Sequence, residues 1–511
     1  MNLMNKTATA NKKHYEKVMM LSKRRGFIWG PSPEIFGGLS GFYSYGPLGK
    51  IIKNNVEELI QKWLWINGFW EVDAPTVSPE IVWISSGHVE GFIDPIVRCT
   101  KCKTVYRADK LIEEFAPNIH TSGKSFEELT KIIEEKNIQC PKCGGKLGEV
   151  TGYNLMMKTT IGLDTTGYLR PETATTTYIM FKRLHAFFRE KLPSKVFQIG
   201  KAYRNEISPR QGVLRLREFT QGEAQTFILP EQEHNFADFK KIENEKLPLL
   251  PYKIQMEDRE DIQNISLREA IDLGYLEKEA YAWHIWVAYK IYEMLGIPKE
   301  RFRLRQHLPD ERAHYAKDAW DIEFLTQDFG WVELCGVHDR GDYDLSRHQK
   351  YSKQKMLVRS SKGKEVPHVL EIAFGIDRTI YALLEANYVK DDVREWLRLP
   401  AFIAPIQIAV FPLMKKDGLD AKAKEVYRTL RQTEFRVVYD EDGSIGKRYR
   451  RMDEVGTPFE VTIDYQTLED GTVTIRDRDT MEQHRVKIEE LTKEFKKLIQ
   501  NPLENLAKQM I

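Results

Sequence analysis

Gln198-Ile199-Gly200-Lys201-Ala202-Tyr203-Arg204-Asn205-Glu206-Ile207, followed by Arg215-Leu216-Arg217-Glu218-Phe219, decides the reading of this chain. The first run sets an arginine and an acid ahead of a loop, and the second places an aromatic ring after it. A guanidinium fork matches phosphate bidentately, a glutamate accepts from an exocyclic amine, and a phenylalanine ring offers a stacking face. Adenine and phosphates are both served by that set, so a nucleoside triphosphate is the ligand to which the stretch points. Salt-bridged strand surface is the alternative, because charged pairs on exposed strands are common and contribute little.

A second segment, Val369-Leu370-Glu371-Ile372-Ala373-Phe374-Gly375-Ile376-Asp377-Arg378-Thr379, reads as a β run that passes through glycine into a helix. Glycine allows close backbone approach at such a junction. The permanently charged, planar guanidinium of Arg378 then faces a phosphate or a purine. Otherwise Asp377 and Arg378 are an exposed pair in the first helical turn.

Together with Trp70-Glu71-Val72-Asp73-Ala74-Pro75, these pieces resemble, in order, the three signature motifs of class II aminoacyl-tRNA synthetases. Further runs are similar to the homodimeric type of glycyl-tRNA synthetase: Arg25-Gly26-Phe27-Ile28, Tyr45-Gly46-Pro47-Leu48-Gly49, Ser86-Gly87-His88-Val89, Leu169-Arg170-Pro171-Glu172-Thr173-Ala174, and the stretch from Trp331 through His348. The resemblance runs essentially end to end. It implies an α/β (α+β) fold: an antiparallel-sheet catalytic domain with a zinc-knuckle insertion, then a C-terminal α/β anticodon-binding domain. The implied reaction activates glycine with ATP and transfers it to tRNA(Gly), with magnesium on the triphosphate and a homodimer as the working unit.

Carried over residue by residue, the resemblance assigns the α-phosphate to Arg204, the adenine amine to Glu206, stacking to Phe219, and the terminal phosphates to Arg217 and Arg378. Asn205 joins that ATP set, and Glu333 takes a magnesium or ATP contact. Glu172, Glu223 and Glu371 are implied around the glycine ammonium, with Arg170 and Ala373 completing the amino-acid site. The chain departs from the family pattern close to that site. Glu371-Ile372-Ala373 stands where Glu-Pro-Ser is usual, Thr175-Thr176-Thr177 where Gln-Gly-hydrophobic is usual, and Gln225-Thr226 where an acid and an aromatic or histidine are common. His338 stands where the family has a small residue. Two other functions therefore stay open: a synthetase paralogue that activates another small amino acid or uses a non-tRNA acceptor, and a non-catalytic binding subunit on a synthetase scaffold. The full set of Arg204, Glu206, Arg217, Phe219 and Arg378 speaks against the last.

The chain has 511 residues, 41% of them hydrophobic, enough for roughly two to four domains with a large core. Net charge is +2, from 77 basic and 75 acidic residues, which excludes a tail-driven nucleic-acid binder and makes any RNA contact regional. No apolar run of about 18 to 20 residues occurs, and Met1 to Arg24, read as a mixed-charge helix, lacks a signal core. The expectation is a cytoplasmic protein without a membrane span. Apolar residues recur at helical spacing over Ile51–Trp65 and leave open whether that helix faces a second subunit or its own core.

Four of five cysteines form two pairs, Cys99-Thr100-Lys101-Cys102 and Cys140-Pro141-Lys142-Cys143. Four thiolates complete a tetrahedral zinc shell. A redox role is the competing reading, but neither pair precedes a helix in a thioredoxin-like unit. Cys335 reads as a small buried hydrophobe. The expected divisions are 1–98 and 151–398 for the catalytic domain, with a helical insertion around 261–296, 99–150 for the zinc module, and 399–511 for the C-terminal domain. Tyr281, Trp283, Trp286 and Tyr289 read as a core stripe. In the C-terminal domain, strands and helices alternate toward a mixed sheet, and Lys447, Arg448, Tyr449 and Arg450 supply cations and a ring for a single-stranded RNA loop. A solvated helix face is the alternative there.

Overall fold

Spacing of apolar residues and helix-end chemistry account for the first elements in the computed structural model, which describes residues 4–503 apart from 122, 208, 210, 211 and 314. Helix α1 (Met4–Arg25) ends in Lys23, Arg24 and Arg25, cations suited to the carbonyl end of a helix. Helix α2 (Pro47–Ile66) starts with proline at its first position and buries Ile52, Val56, Leu59, Ile60, Trp63 and Leu64 along one face. That face meets the chain's own core, where the Trp63 indole donates to the carbonyl of Val287 at 2.8 Å. The other side leaves Trp65 57% exposed. Strand β1 (Trp70–Glu71) follows.

The cysteine module is a small unit of its own. Strands β2 (Ile93–Cys99) and β3 (Val105–Arg107), helices α3 (Ala108–Phe115) and α4 (Phe126–Glu135), and strand β4 (Leu147–Asn154) enclose a separate core that includes Val97, Leu111, Ile112, Leu129 and Ile133. A Ser125–Glu128 capping box fixes the start of α4.

The catalytic body is a nine-stranded sheet. After β4 come β5 (Ser194–Tyr203), β6 (Glu218–Ile228), β7 (Lys246–Leu250), β8 (Gln263–Ser266), helix α5 (Glu279–Met294), then β9 (Phe302–Gln306), β10 (Asp318–Thr326), β11 (Gly330–Gly341), β12 (His368–Gly375) and helix α6 (Ile376–Asn387). The strand order is β8-β7-β9-β10-β11-β12-β6-β5-β1, antiparallel except for β5 with β1 and β7 with β9. The segment expected as a helical insertion at 261–296 is woven into this body. Its β8 is the sheet's edge strand, and α5 buries Tyr281, Trp283, Trp286 and Tyr289 in the main core. Burial on nearly all sides explains why that helix carries so few charges.

The C-terminal domain has its own core. Strand β13 (Ile408–Pro412), helix α7 (Leu419–Arg431), β14 (Val437–Tyr439), helix α8 (Ile445–Val455), β15 (Phe459–Ile463), β16 (Thr472–Asp477), β17 (Gln483–Lys487) and helix α9 (Leu491–Leu498) form it. Its sheet is mixed: β14, β13 and β15 run parallel, and β16 and β17 add antiparallel. Buried ion pairs tie it to the catalytic body, with Arg394 2.9 Å from Asp453, which also holds Arg476 at 2.9 Å. Among the described residues, no helix is long and apolar enough to cross a membrane.

Candidate active site

One face of the central sheet forms the floor of a cavity of about 250 Å³. Side chains alternate across a strand, so Phe219, Gln221 and Glu223 of β6 share that face. The register then sets Glu223 beside Ala373 of β12, Ala373 beside Gly336 of β11, and Gly336 beside Asp321 of β10. Glu371 stands beside His338 in the same way.

Cations gather at one end. The guanidinium of Arg204 lies 5.4 Å from the centre of the Phe92 ring and 5.3 Å from that of Phe219. Glu206 accepts from Arg215 Nε at 2.7 Å. Arg378, in the first turn of α6, donates to the Leu214 carbonyl at 3.1 Å and to Glu333 Oε2 at 3.0 Å. Glu333 is half exposed at the mouth, so solvent screens that pair. Asp377 is not part of an exposed pair: it is buried, and it accepts from the Thr220 amide at 2.6 Å and from the Tyr45 hydroxyl at 2.5 Å. That anchor sets where α6 begins, and so where Arg378 stands.

Three buried carboxylates occupy the other end. Glu172 accepts from Thr175 Oγ1 at 2.6 Å and lies 3.5 Å from His88 Nε2. Glu223 accepts from the amide and hydroxyl of Thr173 at 2.7 and 2.5 Å. Glu371 is held by Tyr178, by His338 Nδ1 at 3.1 Å and by Arg340 Nη1 at 3.2 Å. Burial raises all three, but the outcomes differ. Around Glu172, His88, Arg340 and Thr175 outweigh burial and hold the carboxyl well below its usual range. Arg340 and His338 likewise keep Glu371 low. For Glu223, burial reinforced by the charges of Glu371 and Glu172 pushes the carboxyl up to about 8. The recess thus holds two carboxylates and one acid that ionises readily only when a cation arrives.

Three residues expected in the site are placed elsewhere. Arg170 is buried under the floor, donating to the carbonyls of Lys201 at 2.8 Å and Ala74 at 3.0 Å and to Gln198 Oε1 at 3.0 Å. A Cβ at Gly200 would lie 2.2 Å from its Nη2, so glycine makes room for this brace, and Arg170 does not line the cavity. Arg217 spends its donors on the carbonyls of Glu206 and Ser40, both at 2.9 Å, which pins the preceding loop; Arg215 lines the cavity instead. Asn205 does not line it either, and its amide donates to the Leu155 carbonyl. Arg204, Glu206, Phe219, Glu333, Arg378, Glu172, Glu223, Glu371 and Ala373 do line it.

Arg340 was missed by sequence reasoning. It is 2% exposed, grips Asp344 through two hydrogen bonds of 2.7 and 2.8 Å, and stacks at 3.9 Å on Tyr315. The signal that could have found it is the i, i+4 spacing of Arg340, at the end of β11, and Asp344 in the helix that follows.

The four cysteines converge. Their sulfurs lie within 4.8 Å of one another, with Cys99 to Cys143 and Cys102 to Cys140 both at 3.6 Å. A tetrahedral shell with Zn–S bonds of about 2.3 Å needs sulfurs about 3.8 Å apart, so the set fits zinc. In the C-terminal domain the expected RNA patch is divided. Arg448 is 2% exposed and donates to the carbonyls of Pro412, Leu413 and Gly443. Tyr449 bonds Thr462 at 2.6 Å and packs on Phe411 and Arg476. Both brace α8; Tyr449 is half-buried, and Lys447 and Arg450 are the exposed pair of the four.

A largely antiparallel sheet with arginines at one end of its cavity and carboxylates at the other is the architecture of class II aminoacyl-tRNA synthetases. Residues 158–254 match the model of the tRNA synthetase class II core domain (G, H, P, S and T), and residues 407–498 match that of the anticodon binding domain. The fold is like that of a Giardia lamblia prolyl-tRNA synthetase, solved with prolyl-adenylate, at a TM-score of 0.61 and 16% identity over 94% of this chain and 75% of that one. Sequence relatives are much nearer. The glycine–tRNA ligase of Pyrococcus horikoshii is 46% identical over 95% of this chain and 98% of the relative, and that of Methanocaldococcus jannaschii 42% over 93% and 97%. The chain belongs to the glycine–tRNA ligase family.

Proposed function

We propose that this protein is a glycine–tRNA ligase that makes glycyl-adenylate from ATP and glycine and then transfers the glycyl group to the end of tRNA(Gly). The observation that carries the reading is the recess of Glu172, Glu223 and Glu371, opening onto the arginines of the same cavity. A small cationic amino group suits the recess, and a polyphosphate suits the arginines.

In the first step a glycine carboxylate oxygen attacks the α-phosphorus, and pyrophosphate leaves. In the second a terminal ribose hydroxyl takes the glycyl carbonyl, and AMP leaves. Both develop charge on oxygen, so fixed cations and positioning supply most of the acceleration. Arg204, held between Phe92 and Phe219, faces the α-phosphate once the base displaces its contact with Phe219. Arg378 meets the terminal phosphates, with Arg215 in the place expected for Arg217. The carboxylates hold the ammonium and aim the substrate carboxylate at the phosphorus. Magnesium, when bound, neutralises triphosphate charge, and Glu333 at the mouth is the carboxylate placed to hold it. Zinc on Cys99, Cys102, Cys140 and Cys143 is structural, because a closed four-thiolate shell leaves no open position.

Self-association fits the sheet edge, where β1 is the last strand among the described residues. Trp65, Ile66, Trp70 and Phe187 are exposed around it, and Trp70 packs edge-on against both Trp65 and Phe187, an aromatic patch of the kind that marks protein–protein contacts. The working unit is then a cytoplasmic homodimer. Lys447 and Arg450 are the cations of α8 available to the anticodon. The test is ATP–pyrophosphate exchange across small amino acids, followed by charging of tRNA(Gly). Exchange with glycine and charging of that tRNA are expected. Exchange with a different amino acid would move the protein to the paralogue reading, which Ala373 and His338 keep open.

A further inference from the structure

The amino-acid recess has an unusual floor. Gly336 and Ala373 are neighbours across β11 and β12, and both are too small to fill the space above them. The ring of His338 covers that space. Folded back along β11, it would lie 2.7 Å (Cε1) and 3.0 Å (Nε2) from a Cβ added at Gly336, closer than ordinary contact allows. Two neighbours hold it there: Glu371 Oε1, 3.1 Å from Nδ1, and the Tyr315 ring, edge-on with centroids 6.4 Å apart. The side chain is 17% exposed, and what it exposes faces the cavity that it lines.

We infer that the imidazole of His338 sets the size limit of the amino-acid recess, excluding any substituent larger than hydrogen on the substrate's α-carbon. The inference deepens the reading above and rests on it. With the ammonium held by Glu172, Glu223 and Glu371, the α-carbon stands over the part of the floor made by Gly336, Ala373 and His338. A methyl group has room above Gly336 and Ala373, and the ring takes that room away. Because Nδ1 donates to a carboxylate that also takes part in holding the ammonium, the ring is locked by the substrate-binding group itself. Size exclusion and ammonium binding are therefore coupled through Glu371.

One methyl group admitted to a pocket changes discrimination by roughly 10- to 200-fold. The test is ATP–pyrophosphate exchange with glycine, alanine and serine, comparing the unaltered enzyme with His338→Ala, His338→Phe and His338→Asn, each checked for folding by its thermal melt. His338→Ala should raise the alanine-to-glycine ratio of kcat/KM at least 10-fold. His338→Phe keeps the bulk but loses the bond to Glu371, so it should preserve discrimination while raising KM for glycine. If His338→Ala fails to fold, His338→Asn, smaller than histidine but polar, carries the same expectation. A ratio unchanged in a folded, glycine-active His338→Ala or His338→Asn enzyme overturns the size limit alone. Unaltered enzyme that shows no exchange with glycine overturns the proposed function, and the inference with it.

Discussion

Glycine should bind by expelling a proton from Glu223. Its carboxyl is pushed up to about 8 by burial and by Glu371 and Glu172, so in the empty recess Glu223 is largely protonated at neutral pH. Roughly one Glu223 in ten is ionised at pH 7 and nine in ten at pH 9. If only the ionised form receives the ammonium, apparent affinity scales with that fraction, and KM for glycine should fall about 10-fold between those pH values, or about 1.4 kcal/mol. The slope of log KM should be close to −1 below pH 8 and flatten above it. Calorimetry in buffers of different ionisation heat should count about one proton released per glycine near pH 7. Glu223→Gln should remove both the slope and the release while weakening glycine binding. The same raised value has a consequence for stability, since the protonated carboxyl is the stabilising form: this contribution is complete below about pH 4.5 and is lost as pH rises through about 8. A KM for glycine that stays flat across this range, or a slope that survives in Glu223→Gln, would refute the reasoning.

The other predictions concern parts held by different forces. Chelation or Cys140→Ser should remove about one zinc per chain and abolish amide protection in residues 93–154 while the central sheet keeps its own, because the module has a separate core; protection retained without metal would count against a structural site. Arg340→Ala leaves Asp344 and Glu371 buried without their partner and should cost about 3–5 kcal/mol in denaturant melts. Arg340→Lys should restore little, since a lysine cannot reproduce the two-pronged grip on Asp344. Arg448→Ala should destabilise the C-terminal domain by about 1–3 kcal/mol through orphaned carbonyls. Lys447→Ala and Arg450→Ala should leave the melt unchanged and raise KM for tRNA without affecting ATP–pyrophosphate exchange; equal damage to both steps would argue against a role in RNA binding.

Local chemistry explains what could be read without coordinates. The apolar spacing over Ile51–Trp65, the glycine before Arg378 and the paired cysteines each make their point within a few residues, so helix, junction and four-cysteine cluster were legible. Side-chain direction was not. Arg217 and Arg170 looked equivalent to Arg204 in charge, yet they brace backbone carbonyls outside the cavity that Arg204 lines, which depends on where distant loops pass. Arg448 and Arg450 are two residues apart on one helix, and the approach of β13 from below buries the first and leaves the second in water. The segment 261–296 read as an addition because nothing in its own pattern says that Gln263–Ser266 pairs with residues 246–249.

By itself, the sequence determined the kinds of chemistry present: arginines and a ring for a nucleotide, acids for an ammonium, thiolates for a metal, and strands and helices in an order that permits one central sheet. Only the tertiary structure decided which groups meet. Glu172, Glu223 and Glu371 come from three separate segments, and the register of β6 with β12 brings Glu223 and Glu371 onto one face. Their unequal proton affinities follow from that meeting, because burial and mutual repulsion act between groups that are far apart in the chain and a few ångströms apart in the fold.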